Sequence, residues 1–234
     1  MPGAADRIQV LNYDLVIIGS GLAGMRAALQ AARVSEGGLK IALVSKQHAM
    51  RSHSVSAEGG ISGVLYPGEA DDSLDLHALD TVKGGDYLGD QPAIETLVRE
   101  APKEIRFLEH LGTPWNRSPE GKIVLRAFGG MSVPRTAFAA DKTGFFMLHA
   151  LYDTLLGMRN VDILHEYYAT DLILKGSTAK GFVVMDMATG GLRFLGAKSG
   201  IIATGGYARM FNFTTRQFFE APEGDREVPK VDLR

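Results

Sequence analysis

Apolar residues follow two different rhythms along this chain, and the change between them divides it. Asp14 to Ile18, DLVII, is a short β-branched run that leads into GSGLAG. Leu22 to Val34 then reads as an alanine- and leucine-rich helix closed by Gly37-Gly38, and a second apolar run, IALV, spans Ile41 to Val44. Strand, glycine turn, helix and strand make a βαβ unit within about 30 residues. Leu74 to Val82 suits a helix. Asp90 and Pro92 open a longer periodic segment in which Ile94, Leu97, Val98, Ile105, Leu108 and Leu111 share a face, and Pro102 is expected to kink or split it. Gly129-Gly130 and Pro134 mark a loop, after which Thr143 to Leu156 predicts a helix buried through Phe146, Ala150, Leu151 and Leu155. Beyond it the runs become short: 162–164, 170–174, 181–187 and 191–195 predict a β-meander with a turn at Thr189-Gly190-Gly191. Gly200 to Ala203 predicts a further strand running into Thr204-Gly205-Gly206. From Arg216 charge and proline dominate, which predicts a disordered tail over 216–234 behind one domain over 13–215.

Composition narrows the classes. With 45% hydrophobic and 22% charged residues, the 234-residue chain has the make-up of a soluble globular protein with a sizeable core. A net charge of −2 creates no strong field for nucleic acid or an anionic membrane, and no nucleic-acid partner is expected. There is no cysteine, so any disulfide, thiolate site or iron-sulfur cluster must belong to a partner. The six histidines show no His-x-x-x-His spacing, and no metal is expected. The start, MPGAADRIQVLNYD, lacks the basic-then-apolar pattern of a secretory signal, and no apolar stretch reaches the roughly 18 residues that span a bilayer. A cytosolic or peripheral location is expected.

The turn Gly19-Ser20-Gly21-Leu22-Ala23-Gly24 matches G-x-G-x-x-G after a strand and before a helix, the context that a dinucleotide fingerprint requires. Gly19 permits the tight turn, Gly21 lets backbone approach a pyrophosphate, and Gly24 allows close helix packing, with the helix N-terminus facing the phosphates. The plain alternative is a glycine turn without a ligand. At the end of the second strand, where an acid would hold a ribose hydroxyl, Ser45-Lys46 stands instead. Ser45 still offers one hydrogen bond, and Lys46 suits phosphate or carboxylate better than ribose.

The set GSGLAG, ALVSK, MRSHSVSAEGG, FGGM, RTAFAADKTGFFMLHALY and ATGGYAR resembles the flavoprotein subunits of the succinate dehydrogenase/fumarate reductase family, closer to the fumarate reductase branch, from about Tyr13 to Thr215. The resemblance implies an α/β, Rossmann-like two-dinucleotide-binding-domain flavoprotein fold with a β-meander, incomplete at its C-terminus. It implies FAD bonded at its 8α-methyl to the histidine of RSH, here His53. A neutral imidazole is a suitable nucleophile for that position. Arg51, Ser52 and Ser54 flank it, and the two serines are small hydrogen-bonding neighbours. Gly59 and Gly60 would let backbone approach the ring system, with Glu58 beside it biasing electron flow. Ala203, Thr204 and Gly205 match the segment that passes FAD, and Tyr168 with Tyr167 the strand past the adenine. Each has a structural alternative: a loop histidine, an exposed loop acid, a glycine turn and a core or rim tyrosine pair.

Phe128 matches the family's segment near a dicarboxylate site, which makes Arg126 and Arg135 candidate carboxylate partners, although loop arginines are usually solvated. Asp71, Asp72 and Asp75 read as a solvated helix start. The resemblance implies interconversion of fumarate and succinate by hydride transfer at flavin N5, with electrons exchanged with an iron-sulfur subunit and quinone. It also implies membrane-anchor subunits, a flavinylation assembly factor and a peripheral place on the cytoplasmic face of the inner membrane. The family's second FAD stretch, capping domain and proton-donor arginine find no match here, so no catalytic residue is assigned and the chain by itself is expected to be inactive. The rival readings are an L-aspartate-oxidase-like enzyme with non-covalent FAD, a non-catalytic FAD-binding module or remnant, and, last, an NAD dehydrogenase.

Overall fold

The computed structural model describes residues 8–206. The tail expected over 216–234, and the expected domain beyond Gly206, lie outside the described residues. In chain order the elements are β1 (Gln9–Ile18), α1 (Leu22–Val34), β2 (Ile41–Ser45), β3 (Ile61–Ser62), α2 (Leu74–Gly84), α3 (Gln91–His110), β4 (Leu125–Arg126), β5 (Thr136–Ala137), α4 (Thr143–Leu156), β6 (Val161–His165), β7 (Tyr167–Lys175), β8 (Thr178–Asp186) and β9 (Leu192–Ile202). They form two compact units, one from the residues up to His53 with those from Tyr152 onward, the other from Ser54–Leu151.

The first unit is built on a six-stranded sheet in the order β6-β2-β1-β9-β8-β7. β6, β2, β1 and β9 run parallel, and β9, β8 and β7 form the antiparallel meander. Both faces of the central strands are covered, which is why DLVII and IALV are continuous apolar runs and not alternating ones. Val16, Ile18, Ala42 and Val44 cluster with Phe182, Val184 and Leu195 of the meander. The alternate residues Ile17, Ile41 and Leu43 are fully buried on the opposite face. α1 packs on β1 and β2 and buries Met25, Ala28, Leu29 and Ala32, a helical i, i+3, i+4, i+7 stripe. Each fully buried Ile or Leu contributes about 1.5–3 kcal/mol.

Three expectations change here. β1 begins at Gln9, ahead of the apolar run, because its polar first half pairs with β9 from Arg193 onward. The two strands expected at 191–195 and 200–203 are one strand, β9, whose ladder continues from Arg193 to Ile202. Its polar middle is exposed, and Lys198 reaches Asp14 at 2.6 Å, so side-chain polarity did not interrupt backbone pairing. β6 and β7 are joined through Glu166 alone, in a left-handed conformation with φ +61°. Tyr13 ties β1 to β6 by donating to Asp162 at 3.0 Å, and burial, then that bond, pushes the phenol up to about 12.

The second unit carries α2, α3, most of α4 and a small antiparallel sheet in the order β3-β5-β4. Ser73 caps α2 by accepting from Leu76 N–H at 3.1 Å, and Asp90 caps α3 by accepting from Ala93 N–H at 3.2 Å. α3 is neither split nor shortened by Pro102: Val98 and Ala101 before it and Ile105 and Leu108 after it are all buried, so packing on both sides outweighs the lost backbone bond. Leu97, expected on the buried face, is 56% exposed.

The solvated acid cluster is also corrected. Asp71 and Asp75 are exposed, but Asp72 is buried and pairs with Arg135, itself fully buried. Arg135 donates from Nε and Nη2 to Asp72 at 3.1 and 2.8 Å and from Nη1 to Asp80 at 2.6 Å. Asp80 further accepts from the N–H and hydroxyl of Ser132 at 2.9 and 2.6 Å. Burial alone would raise the Asp80 carboxyl, but the Ser132 and Arg135 bonds together hold it at about 2. Beside them the buried His77 is pushed below the usual histidine range by burial and then by Arg135, against the pull of Asp72 and Asp80. Arg135, a candidate carboxylate partner, thus spends these donors on the protein's own carboxylates.

Two expectations follow from this charge network. Arg135→Met leaves two buried carboxylates unpaired and should lower stability by about 3–5 kcal/mol in urea denaturation, whereas exposed Arg99→Met should change it by less than about 0.5 kcal/mol. Melting temperature should be highest above about pH 6.5 and fall in acid, because unfolded His77 takes up a proton more readily than folded His77. A second loss should begin below about pH 4 as Asp80, folded near 2, is protonated. A calorimetric pH series checks both limbs.

Candidate functional site

β1 delivers the chain to a turn that only glycine fits. Gly19 has φ +106°, and its N–H donates to Val44 O at 2.8 Å, locking the turn to the end of β2. A Cβ on Gly19 would stand 2.3 Å from Ala203 O, and one on Gly24 would stand 1.8 Å from Gly19 O. α1, β1 and the end of β9 therefore meet where no side chain fits, and Ala203 N–H donates to Ile18 O at 2.7 Å to close the contact. Gly21 is the N-cap of α1 and brings no side-chain acceptor, and the first turn of α1 carries no acid. A helix N-terminus with no side-chain cap and no acid in its first turn suits an anion from outside. Ser20 is buried and donates to Ser45 Oγ at 2.7 Å. The structure thereby brings together Gly19 to Gly24, Ser45 and Ala203, with exposed Lys46 one residue on and Thr204-Gly205 following Ala203.

After β2 the chain makes two short turns, Ala49–Arg51 and His53–Ser56, with extended Ser52 between them. His53 and Arg51 are exposed. The hydroxyl of Ser52 is buried and has no hydrogen-bond partner among the described residues, an arrangement that native proteins rarely leave unexplained. This segment is anchored by residues that the sequence did not single out. Ala49, fully buried, donates its N–H to His165 Nδ1 at 3.2 Å, and His165 stacks on His48 with centroids 4.4 Å apart and planes 10° from parallel. Tyr152 Oη lies 3.3 Å from His165 Nε2 and 3.5 Å from His48 Nε2. Burial, then His48, lowers the His165 pKa, with Glu166 acting the other way. No local motif marks these three residues; parallel pairing of β2 with β6, which aligns Ser45 with His165, assembles them.

Of the tyrosine pair, Tyr167 is absorbed by the meander: it donates to Asp186 at 3.1 Å and lies under Arg193 at 4.8 Å. Half-buried Tyr168 alternates to the other face of β7, opposite Met185.

In the second unit the loop Ser54 to Gly60 is held by its carbonyls. Arg126 donates from Nη2 to Glu58 O at 2.7 Å and from Nε to Gly59 O at 3.0 Å, and Thr143 donates to Glu58 O at 3.2 Å. Ser54 is half-buried at the start of this loop and the side chain of Glu58 is exposed. Gly60 has φ +123°, with 2.3 Å between a notional Cβ and Ala137 O. The Arg126 guanidinium lies 4.4 Å from the Phe138 ring and 5.3 Å from Phe128. Glu58, Gly59, Arg126, Ala127, Phe128 and Asp141 line an open depression. Arg126, a candidate carboxylate partner, spends these donors on backbone, a bond pattern the sequence motif did not foretell.

The two halves of this geometry suit a flavin dinucleotide: a glycine cradle at a helix N-terminus, and an exposed imidazole beside an unpartnered buried hydroxyl. Comparison with known proteins agrees on the FAD. The FAD binding domain family matches residues 14–225. The fumarate reductase flavoprotein subunit of Mycobacterium tuberculosis is 48% identical over 213 residues, 91% of this chain and 36% of that protein. The mitochondrial succinate dehydrogenase [ubiquinone] flavoprotein subunit of Oryza sativa is 40% identical over 231 residues, 95% of this chain and 36% of that protein. A solved E. coli quinol fumarate reductase, a point variant of FrdA, superposes with a TM-score of 0.82 at 42% identity, covering 88% of this chain and 34% of that one. The chain spans about a third of the length of these relatives. With a glycine turn, an RSH segment and a strand end that all fall inside the matched residues, the chain belongs to the FAD binding domain family and is similar, over about nine tenths of its length, to flavoprotein subunits of fumarate reductase and succinate dehydrogenase.

Proposed function

We propose that residues 13–215 serve as the FAD-binding domain of a flavoprotein subunit that interconverts fumarate and succinate, with FAD attached covalently through His53. The observation that carries the attachment is the exposed His53 imidazole next to the buried, unpartnered Ser52 hydroxyl. FAD supplies the group that takes up and gives back a hydride. The chain's own residues bind and orient it. The α1 N-terminus and the Gly19–Gly24 turn hold the pyrophosphate, with Ser45 and Lys46 at its ribose side and Tyr168 toward the adenine. Ala203, Thr204 and Gly205 pass along the cofactor. Arg51, Ser52 and Ser54 position His53, while Glu58, Gly59 and Gly60 offer backbone to the ring system.

No residue of this stretch is assigned to proton transfer onto the dicarboxylate, so the isolated chain is proposed to be inactive toward fumarate. Electrons pass, in this reading, to or from an iron-sulfur subunit and quinone, since the chain itself has no cysteine to hold a cluster. Membrane-anchor subunits and a flavinylation assembly factor complete the proposed partners. The proposed location is a peripheral place on the cytoplasmic face of the inner membrane, reached through those partners; among the described residues no helix is long and apolar enough to cross a membrane.

The test is flavin fluorescence that stays with the protein band on a denaturing gel, for the wild type and His53→Ser. Fluorescence in the wild type and none in the variant is the expected result. A wild type that binds FAD natively but loses it on the gel would instead favour the L-aspartate-oxidase-like or simple FAD-module reading. A second measurement separates cofactor from fold. Ser52→Ala removes a buried unsatisfied hydroxyl, so the FAD-free protein should gain up to about 1 kcal/mol, while FAD affinity should fall about five- to tenfold. Urea denaturation of the apoprotein and fluorescence titration with FAD read the two opposite signs.

A further inference from the structure

We propose that His165, with His48 and Tyr152, is a positioning clasp that fixes the segment presenting His53, through an imidazole nitrogen that must stay unprotonated to do so. The inference rests on the reading that His53 carries flavin.

Ala49 is fully buried, so its N–H requires a partner, and His165 Nδ1 provides it at 3.2 Å. A ring nitrogen that accepts an N–H bears no proton, which places the His165 proton on Nε2, 3.3 Å from Tyr152 Oη. His48 repeats the pattern: Nδ1 accepts from Met50 N–H at 3.3 Å, and Nε2 faces the same tyrosine oxygen at 3.5 Å. Two neutral rings in the same tautomer therefore stack over one phenol, each holding a consecutive backbone N–H of the turn that leads to His53. The turn carries the constraint forward, since Arg51 N–H donates to His48 O at 2.8 Å and Ser52 N–H to Ala49 O at 3.4 Å. His53 lies four residues past the anchored Ala49.

Protonation of His165 at Nδ1 replaces an acceptor with a donor facing another donor, and strands the Ala49 N–H in the interior. The groups facing the ring are His48 after β2, Tyr152 on α4 and Glu166 beyond β6. Burial and then the adjacent His48 disfavour the charged ring, against Glu166. Because the folded-state pKa is lowered, the clasp is fully present above the ordinary histidine value of about 6.5 and is lost as pH falls through the lowered one.

Two variants of the full chain test this. His165→Asn keeps an acceptor near the Nδ1 position and cannot titrate; His165→Leu removes the acceptor. At neutral pH, H165L should attach flavin about tenfold more slowly or worse, and H165N should restore most of the rate, with native FAD binding little changed in either. In the apoprotein, the Ala49 amide should be protected from hydrogen exchange at neutral pH and lose protection as the pH falls below the ordinary histidine value of about 6.5 in the wild type but not in H165N, as followed by NMR. Attachment at the wild-type rate in H165L, or Ala49 protection that follows the same course in acid in the wild type and in H165N, overturns the clasp. A wild type that never attaches flavin overturns instead the reading that the clasp serves, and the clasp's purpose with it.

Discussion

Everything in the first unit is arranged around a point where three backbones meet with no room for a methyl group. Gly19 and Gly24 bring β1, the start of α1 and the carbonyl of Ala203 to within contact, and a Cβ at either glycine would collide with a backbone oxygen at 2.3 or 1.8 Å. That closeness has two consequences. It lets the parallel strands and the helix pack without a gap, and it leaves the helix N-terminus facing outward with only a glycine as cap. A positive helix end with no carboxylate of its own is a place for a phosphate from elsewhere.

The neighbouring segment obeys a different rule. Its backbone is tied down by side chains while one reactive group is left exposed: Ala49 and Met50 are held by ring nitrogens, and the His53 side chain is exposed. In the second unit the loop at Glu58 and Gly59 is likewise gripped by its carbonyls, through Arg126 and Thr143, while the Glu58 carboxylate is exposed. Holding a loop by its peptide groups leaves the side chains available for chemistry, which suits loops that must be both rigid and reactive.

Charge within this fold divides by burial. Arg135, one of two candidate cations for a dicarboxylate in the sequence, is fully buried against Asp72 and Asp80 and serves the second unit's interior. Its neighbour in sequence logic, Arg126, sits at an open depression and grips backbone. Residue type alone did not separate these roles; whether each guanidinium reached solvent did.

By itself the amino-acid sequence determined the βαβ unit, the glycine turn, the RSH segment and the family, because each rests on residues adjacent in the chain whose chemistry is local: a β-branched run, a φ only glycine tolerates, a helix stripe at 25, 28, 29 and 32. It also placed α4 and the meander. It read β9 as two strands, and of the kink or split expected at Pro102 the split does not occur, since the β1 ladder and the packing on both sides of the proline are tertiary effects that override local propensity. Only the tertiary structure decided that Asp72 is buried, that Arg135 faces inward, and that His48, Tyr152 and His165 converge. Arg135 lies 63 and 55 residues from Asp72 and Asp80, and His48 lies 104 and 117 residues from Tyr152 and His165. No periodicity reports such meetings; the pairing of β2 with β6 does, by setting the end of one strand beside the end of the other.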